Sequence, residues 1–214
     1  MTYTYWPLFD LRVSSPDLML RPVTEADLAV IADLLPDDVE QDPALTWDVG
    51  DPRISRGIIA HQSYWKAVGT WRPGAWRLSF AVCAAGQILG VQELEGNAFP
   101  VLRTVDTASF LVPEARGRGY GKQMRSAVLA LAFGPLRAQA AITSAWHDNH
   151  ASLGVSRALG YRPNGESLHA RGDRADVMKH MRLVRADWLA SGTGDHIRIS
   201  GFEACLPLFG LAGG

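Results

Sequence analysis

An excess of charge of either sign is nearly absent from this sequence of 214 residues, in which 21 lysines and arginines face 22 aspartates and glutamates for a formal net charge of −1. A global electrostatic attraction to nucleic acid is therefore not expected. Cysteine is scarce: Cys83 and Cys205 stand far apart in apolar surroundings, with no CxxC and no His/Cys cluster at metal-ligand spacing, so they read as small buried hydrophobes and no metal is expected. No apolar run approaches the length needed to cross a bilayer, and the opening "MTYTYWPLFDLRV" lacks a basic segment followed by a long apolar one. An untargeted cytoplasmic protein with no membrane partner is expected. Internal repeats and low-complexity segments are also missing.

What is present is the composition of a globular protein, with 47% hydrophobic residues and enough chain for a sizeable core. "LMLRPV", Leu18 to Val23, has strand character, and "TEADLAVIADLLP" then reads as a helix capped by Thr24 and stopped by Pro36. The acidic, Pro-interrupted stretch from Pro36 to Pro52 reads as a loop. A second helix is expected over Ile54 to Val68. A hairpin follows, with strands Arg77 to Cys83 and Ile88 to Leu94 around a turn at Ala85 to Gln87. "TASFLV", Thr107 to Val112, is a strand that leads into "EARGRGYGKQ", after which Met124, Ala127, Val128 and Leu131 form a helical apolar stripe ending at Gly134-Pro135. "AAITSAW", Ala140 to Trp146, reads as a buried strand. "HDNHASLGVSRALGY" reads as a helix capped by Asp148 or Asn149 and stopped at Gly160. "ADVMKHMRLVRADW" reads as a further strand and "IRISGFEACLPLFG" as a short terminal addition. Strands interleaved with helices in this order predict a mixed α/β or α+β sheet domain.

The glycine stretch invites two nucleotide-loop readings and its spacing refuses both. From Gly117 the pattern is G-x-G-x-G rather than G-x-G-x-x-G, with no ribose-binding acid about 20 residues on. Gly121-Lys122 is followed by Gln123, so the magnesium-binding hydroxyl of a Walker A loop is missing. An RG-type nucleic-acid segment fails as well, because this one joins a strand to an amphipathic helix. Two readings stay open: a structural turn with solvated arginines, or an anion cradle in which glycine backbone and a helix N-terminus meet a pyrophosphate, with Arg116, Arg118 and Lys122 adding charge.

"RGRGYG", Arg116 to Gly121, resembles the R/Q-x-x-G-x-G/A motif of the GNAT N-acetyltransferases, and it follows an apolar strand as in that family. Further along, "NHASLGVSRALGY" is similar to the family's second signature, Asn-x-x-Ser followed by a helix and a Gly-aromatic pair. Ser152 at Asn-plus-three resembles the ribosomal-protein alanine acetyltransferase branch, and Ser156 stands where another branch carries a tyrosine. The ends "YWPLFDLR" and "GFEACLPLFG" resemble a mycobacterial subgroup associated with succinyl-CoA. The resemblance covers about Leu18 to Arg185 of an expected single domain.

The resemblance implies a mixed, mostly antiparallel sheet flanked by helices and splayed between its fourth and fifth strands, with coenzyme A in the cleft and acetyl-CoA, or succinyl-CoA, as co-substrate. "TASFLV" is then the fourth strand. Its main chain at Phe110, Leu111 and Val112 would meet the pantetheine arm, and the N–H of Leu111 would polarise the thioester carbonyl. Arg116, Gly117, Arg118, Gly119, Tyr120, Gly121 and Lys122 would form the pyrophosphate loop, with the N–H groups of Arg118, Gly119, Gly121 and Lys122 as donors. Asn149 reads both as helix cap and as a partner of the pantetheine amide. Ser152 reads either as proton donor to the departing thiolate or as a polar residue on an exposed turn, and Tyr161 as a packing residue.

An amine acceptor must lose a proton before attack. Glu93, which shares a strand face with Val91, ranks first as base and Asp106 second, although each also reads as a solvated surface acid; His61 and His147 are further candidates. The segment with Trp47, Trp65, Trp71, Trp76, Tyr64, Asp42, Asp48 and Asp51 reads either as an aromatic, acidic wall for a cationic acceptor or as core packing under a long loop. The leading expectation is acyl transfer from coenzyme A to a primary amine of a small cationic molecule or a peptide N-terminus. An aminated antibiotic as acceptor and a non-catalytic CoA-binding regulatory module remain alternatives. A homodimer is a further partner reading, and the sequence does not give the oligomeric state.

Overall fold

The computed structural model describes residues 3–39, 47 and 49–211. Among them one sheet of nine strands runs through the molecule: β1 (Arg12–Ser14), β2 (Met19–Pro22), β3 (Ala75–Ala84), β4 (Gln87–Asn97), β5 (Thr104–Leu111), β6 (Ala140–Trp146), β7 (Arg162–Arg171), β8 (Arg174–Val184) and β9 (Arg198–Ser200). The spatial order is β7-β8-β6-β5-β4-β3-β2-β1-β9, antiparallel throughout except for the β5–β6 pair.

Helices α1 (Leu28–Leu34) and α2 (Pro52–Gly69) cover one face of the sheet, and α4 (Tyr120–Phe133) and α5 (His150–Ala158) the other; α3 (Phe99–Leu102) and α6 (Arg185–Ser191) are short connectors. Local chemistry sets the starts. Thr24 and Asp27 form a capping box ahead of α1. Asp51 caps α2 by accepting from the N–H of Arg53 at 2.8 Å and of Ile54 at 3.4 Å, and Pro52 occupies the first helical position, where its missing N–H costs nothing. Between β3 and β4 both turn residues, Ala85 and Gly86, have positive φ, as a two-residue hairpin of right-handed twist requires.

Helix α4 is buried nearly all round. Val128, Leu129, Leu131, Ala132 and Phe133 lose all solvent contact between the sheet, α5 and the C-terminal segment.

The extra strand β1 shifts only the numbering: "TASFLV" lies in β5, and the sheet splays between β5 and β6, the expected fourth and fifth strands. Three other readings are amended. Residues 162–171 form a strand without having shown one in the sequence, since β7 is exposed along almost its whole length and carries no apolar alternation. "ADVMKHMRLVRADW" is not one strand: β8 ends at Val184, and α6 begins at Arg185 and buries Trp188. The terminal addition supplies β9, which pairs with β1, and a 3₁₀ turn, Glu203–Phe209, so the sheet extends beyond 18–185.

Candidate functional site

The site begins where β5 and β6 part. They pair at only three positions, Thr104↔Ala140, Val105↔Ala141 and Asp106↔Ile142, and then diverge. Side chains close the vertex: the Thr143 hydroxyl donates to the Thr107 carbonyl at 3.0 Å, and the Thr107 hydroxyl to the Ile142 carbonyl at 3.4 Å.

Beyond the vertex, β5 keeps its ladder with β4 on one edge and offers its other edge to the fork. The Val112 N–H donates to Leu89, and the Phe110 carbonyl faces Gly90 so closely that a Cβ there would lie 2.2 Å from it. Strand alternation therefore aims the backbone groups of Ser109 and Leu111 into the fork. Of the three residues expected to meet the pantetheine arm, Leu111 presents its N–H there, whereas the main chains of Phe110 and Val112 are turned to β4.

The loop after β5 is pinned by Arg116. Its Nε donates to the Leu111 carbonyl at 3.0 Å, and its two terminal nitrogens grip the Asp38 carboxylate at 2.5 and 2.8 Å. That bidentate contact holds Asp38 below the usual carboxylate range.

Gly117 and Gly119 take φ of +73° and +81°, and a Cβ on either would meet nothing within 4 Å. The space beside both glycines is open. Among the described residues the N–H groups from Gly117 to Gly121 make no hydrogen bond, while that of Lys122 donates to the Gly119 carbonyl at 3.1 Å. Arg118 and Lys122 are exposed and form no ion pair among the described residues, so their charge adds to the helix dipole. Gly121 has a packing role as well, since its Cβ would sit 3.4 Å from Val155 of α5.

Across the fork, the Asn149 side chain accepts from the Ser152 N–H at 3.0 Å, the capping contact expected of it. Ser152 is half-buried on the first turn of α5, and its hydroxyl has no partner among the described residues. Ser156 is buried and donates to the Ser152 carbonyl at 3.0 Å. Tyr161 is buried and packs, as its sequence context suggests.

The opposite face of the sheet is acidic. Register places Glu93 beside Ala108 and Ser79, and Glu95 beside Asp106 and Arg77, so the three acids lie together just below the area that α1 and α2 cover. Glu95 pairs with Arg77 at 2.7 Å, and the Ser79 hydroxyl donates to Glu93 at 3.1 Å. Burial raises the Glu93 carboxyl above its ordinary value, with Arg77 opposing. Burial raises Asp106 as well, against the Thr107 N–H that donates to it at 2.6 Å. Neither is the solvated surface acid of the alternative reading.

The histidines are engaged elsewhere. His61 contacts the Gly57 carbonyl at 2.8 Å and the Trp65 ring, and His147 contacts Asp176 at 3.0 Å.

The tryptophans divide. Trp71 and Trp76 stack at 5.9 Å within a cluster that includes Trp6, Phe99 and Phe209, which is core packing. Trp47 and Trp65 are about half exposed. Tyr64 and Val23 line a shallow cleft together with Arg77 and Ser79, the partners of Glu95 and Glu93. Asp51 is a helix cap, and Asp42 and Asp48 lie outside the described residues.

Two participants had little sequence signal. Gly90 hints at itself as a glycine inside a strand. Arg125, buried within α4, sits between Met124 and Ser126 in an apolar stripe, where a cation normally marks an exposed position.

Residues 17–162 match the model of the acetyltransferase (GNAT) domain. The chain belongs to the GNAT acetyltransferase family. In fold it is similar to Mycobacterium smegmatis RimJ in complex with CoA-disulfide, at 16% identity and a TM-score of 0.67 over 90% of this chain and 98% of that one. It is also similar to the spermidine/spermine N-acetyltransferase SpeG from Vibrio cholerae in complex with manganese ions, at 17% identity and a TM-score of 0.62 over 82% and 96%.

GNAT membership makes the protein a CoA-dependent N-acetyltransferase, and the loop is compatible with that co-substrate: five N–H groups without a partner among the described residues lie at a helix start, in a stretch that also carries two cations. No helix of the described residues is long and apolar enough to cross a membrane. Among them no cluster of three or more His, Cys, Asp and Glu could hold a metal.

Proposed function

We propose that the protein transfers the acyl group of a CoA thioester directly to a primary amine of a cationic acceptor, a small molecule or a peptide N-terminus, across the β5–β6 fork. The observation that carries this reading is the pair of half-buried acids with raised proton affinity, Glu93 and Asp106, on the sheet face opposite the covering helices α4 and α5. When bound, the thioester supplies an activated carbonyl. The Leu111 N–H polarises that carbonyl, and the N–H groups from Gly117 to Gly121, with Arg118 and Lys122, hold the pyrophosphate. The Asn149 amide nitrogen is left to meet the pantetheine while its oxygen caps α5.

On the acceptor side, Glu93, Glu95 and Asp106 draw a cationic amine to the fork, and Glu93 takes the proton that the ammonium must lose. A carboxyl of raised pKa suits that task better than an ordinary surface glutamate. The Ser152 hydroxyl donates a hydrogen bond to the leaving thiolate and relays to it a proton drawn from water, so the serine ends the step protonated.

The test is thiol release from acetyl-CoA and succinyl-CoA against a panel of peptides, polyamines and amine antibiotics. Acceptor-dependent release with cationic amines is expected. CoA binding without release for any acceptor would instead make the protein a non-catalytic CoA-binding module.

A further inference from the structure

On the sheet face that carries the acids, register lines up one row of side chains from β3 to β7: Arg77, Glu95, Asp106, Ile142, Arg182 and Arg162. Paired residues share a face, so charge changes sign along this row, acidic on β4 and β5 and basic on β8 and β7. Met181 and Leu183, which alternate with Arg182, are buried in the core on the other face. Arg77 is matched by Glu95 at 2.7 Å and Arg162 by Asp187 at 3.1 Å. Arg182 is exposed, and among the described residues its side chain has neither an ion pair nor a hydrogen bond.

Two residues further from the vertex, Ser144 of β6 stands beside His180 of β8 on the same face. The exposed Ser144 hydroxyl meets His180 Nδ1 at 2.8 Å, His180 Nε2 meets the Ser167 hydroxyl at 2.6 Å, and Ser167 meets His169 Nε2 at 2.8 Å. His180 cannot turn without losing one of these contacts, so Ser144 is held in place on the β6 arm of the fork. No acid joins the chain among the described residues. Asp176, on the same face of β8, is taken by His147 at 3.0 Å, Arg171 at 3.0 Å and the Val177 N–H at 2.8 Å. The two arms therefore differ: β4 and β5 bring three carboxylates against one arginine, while β6 and β8 bring a guanidinium and a hydroxyl with no acid. Asp106 and Arg182 stand two strand spacings apart, about 10 Å between Cα atoms, with Ile142 between them, and they do not pair with each other.

We propose that Arg182, with the Ser144 hydroxyl held by His180, seats a carboxylate carried by the acceptor itself, so that the acceptor is an amine with an acidic group elsewhere in the same molecule. The proposal rests on the acceptor-side reading above, in which the acids of β4 and β5 draw the amine, and it adds the second charge. Arg182 offers a planar fork suited to a carboxylate. In the tautomer with the proton on Nδ1, His180 donates to Ser144 and leaves its hydroxyl proton for the carboxylate. An acceptor with positive charge at both ends would set its far end against Arg182. A short amino acid and a peptide N-terminus followed by an acidic residue share the required chemistry.

Equilibrium binding of acceptors to the CoA-saturated full chain, where no acyl group is present to turn over, tests it in two arms. One arm compares 4-aminobutyrate and 6-aminohexanoate with their carboxamides, and the other compares hexapeptides that differ only by aspartate or asparagine at the second residue. The carboxylate member is expected to bind about tenfold tighter in at least one arm, the worth of one charge-assisted contact, and that arm identifies the source of the carboxylate. R182Q is expected to bind both members of the pair alike, R182K to recover part of the preference, and H180N to weaken it. Thiol release from acetyl-CoA with the same compounds and a polyamine, run alongside, separates the two ways of failing. Amines accepted with no preference for the carboxylate in either arm, or a preference that survives in R182Q, would overturn the seat and leave the acceptor reading standing. Neither binding nor release with any amine would overturn the acceptor reading and the seat together.

Discussion

Substituting Gly119 by alanine separates the backbone's need for glycine from a ligand's need for open space. Gly119 has φ +81°, so a side chain there costs about 1–2 kcal/mol of stability through left-handed backbone strain alone. In a chain of this length that lowers Tm by roughly 2–8 °C. Its Cβ would meet no atom within 4 Å, so no steric term within the protein adds to this. Gly86, in the β3–β4 hairpin, has φ +80° and equally empty surroundings, and it is not part of the Gly117–Gly121 loop. G86A is therefore the matched control: the two variants share the strain, and only G119A intrudes on the cradle. If the Gly117–Gly121 loop holds the pyrophosphate, the added methyl displaces at least one charge-assisted N–H contact, worth about 1.5–3 kcal/mol or about 10–100-fold in Kd. Thermal melts give the first quantity and calorimetric titration with CoA the second. Equal Tm losses with CoA affinity reduced in G119A alone are expected; equal CoA affinity in both variants would refute the cradle.

E93Q is expected to lower kcat by about 10²–10⁴-fold, the usual worth of a general base, with little change in CoA affinity. Because burial raises the Glu93 carboxyl, wild-type kcat should fall as pH drops through a value above the ordinary glutamate range, and E93Q should lose that limb. A raised folded-state pKa also means that ionised Glu93 works against folding above its unfolded value, so E93Q should melt higher than wild type at pH 7 and not at pH 4; a lower melt at pH 7 would contradict the burial argument. S152A should reduce turnover by ~10²-fold while CoA affinity holds, and wild-type turnover would remove Ser152 as the proton donor. For Asp27, burial pushes the carboxyl up, but the Arg21 ion pair at 2.6 Å and two bonds from Thr24 prevail and hold it at about 2. Its stabilisation is complete above the unfolded value of 3.8 and disappears as pH falls through about 2. Urea melts of D27N should show a loss of about 1–2 kcal/mol at pH 6 that shrinks toward nothing near pH 2; a loss independent of pH would assign Asp27 a purely steric role.

The turn and helix start from Gly117 to Gly121 were legible because their requirements are local. A left-handed glycine pair and a helix start are written in consecutive residues, and "AAITSAW" and the α5 cap are equally self-contained, so β6 runs over the residues expected and Asn149 makes the bond expected. The sequence also ranked Glu93 above the histidines, but it left open whether Glu93 was a surface acid. That depends on β3 and β5 lying on either side of β4, a long-range pairing that no short pattern encodes. The edge strand β7 escaped because both its faces are wet, which removes the alternation on which strand detection relies. Arg125 escaped for the opposite reason. Its place in α4 is read correctly as a buried helix, and periodicity assigns such a position to an apolar side chain. What marks it out is the set of hydroxyls that β5, β6 and α5 bring around the guanidinium, three contributions separated in sequence and joined only where the two strands part. A residue that breaks its own helix's pattern at the junction of three elements is where local rules fail and function is to be sought.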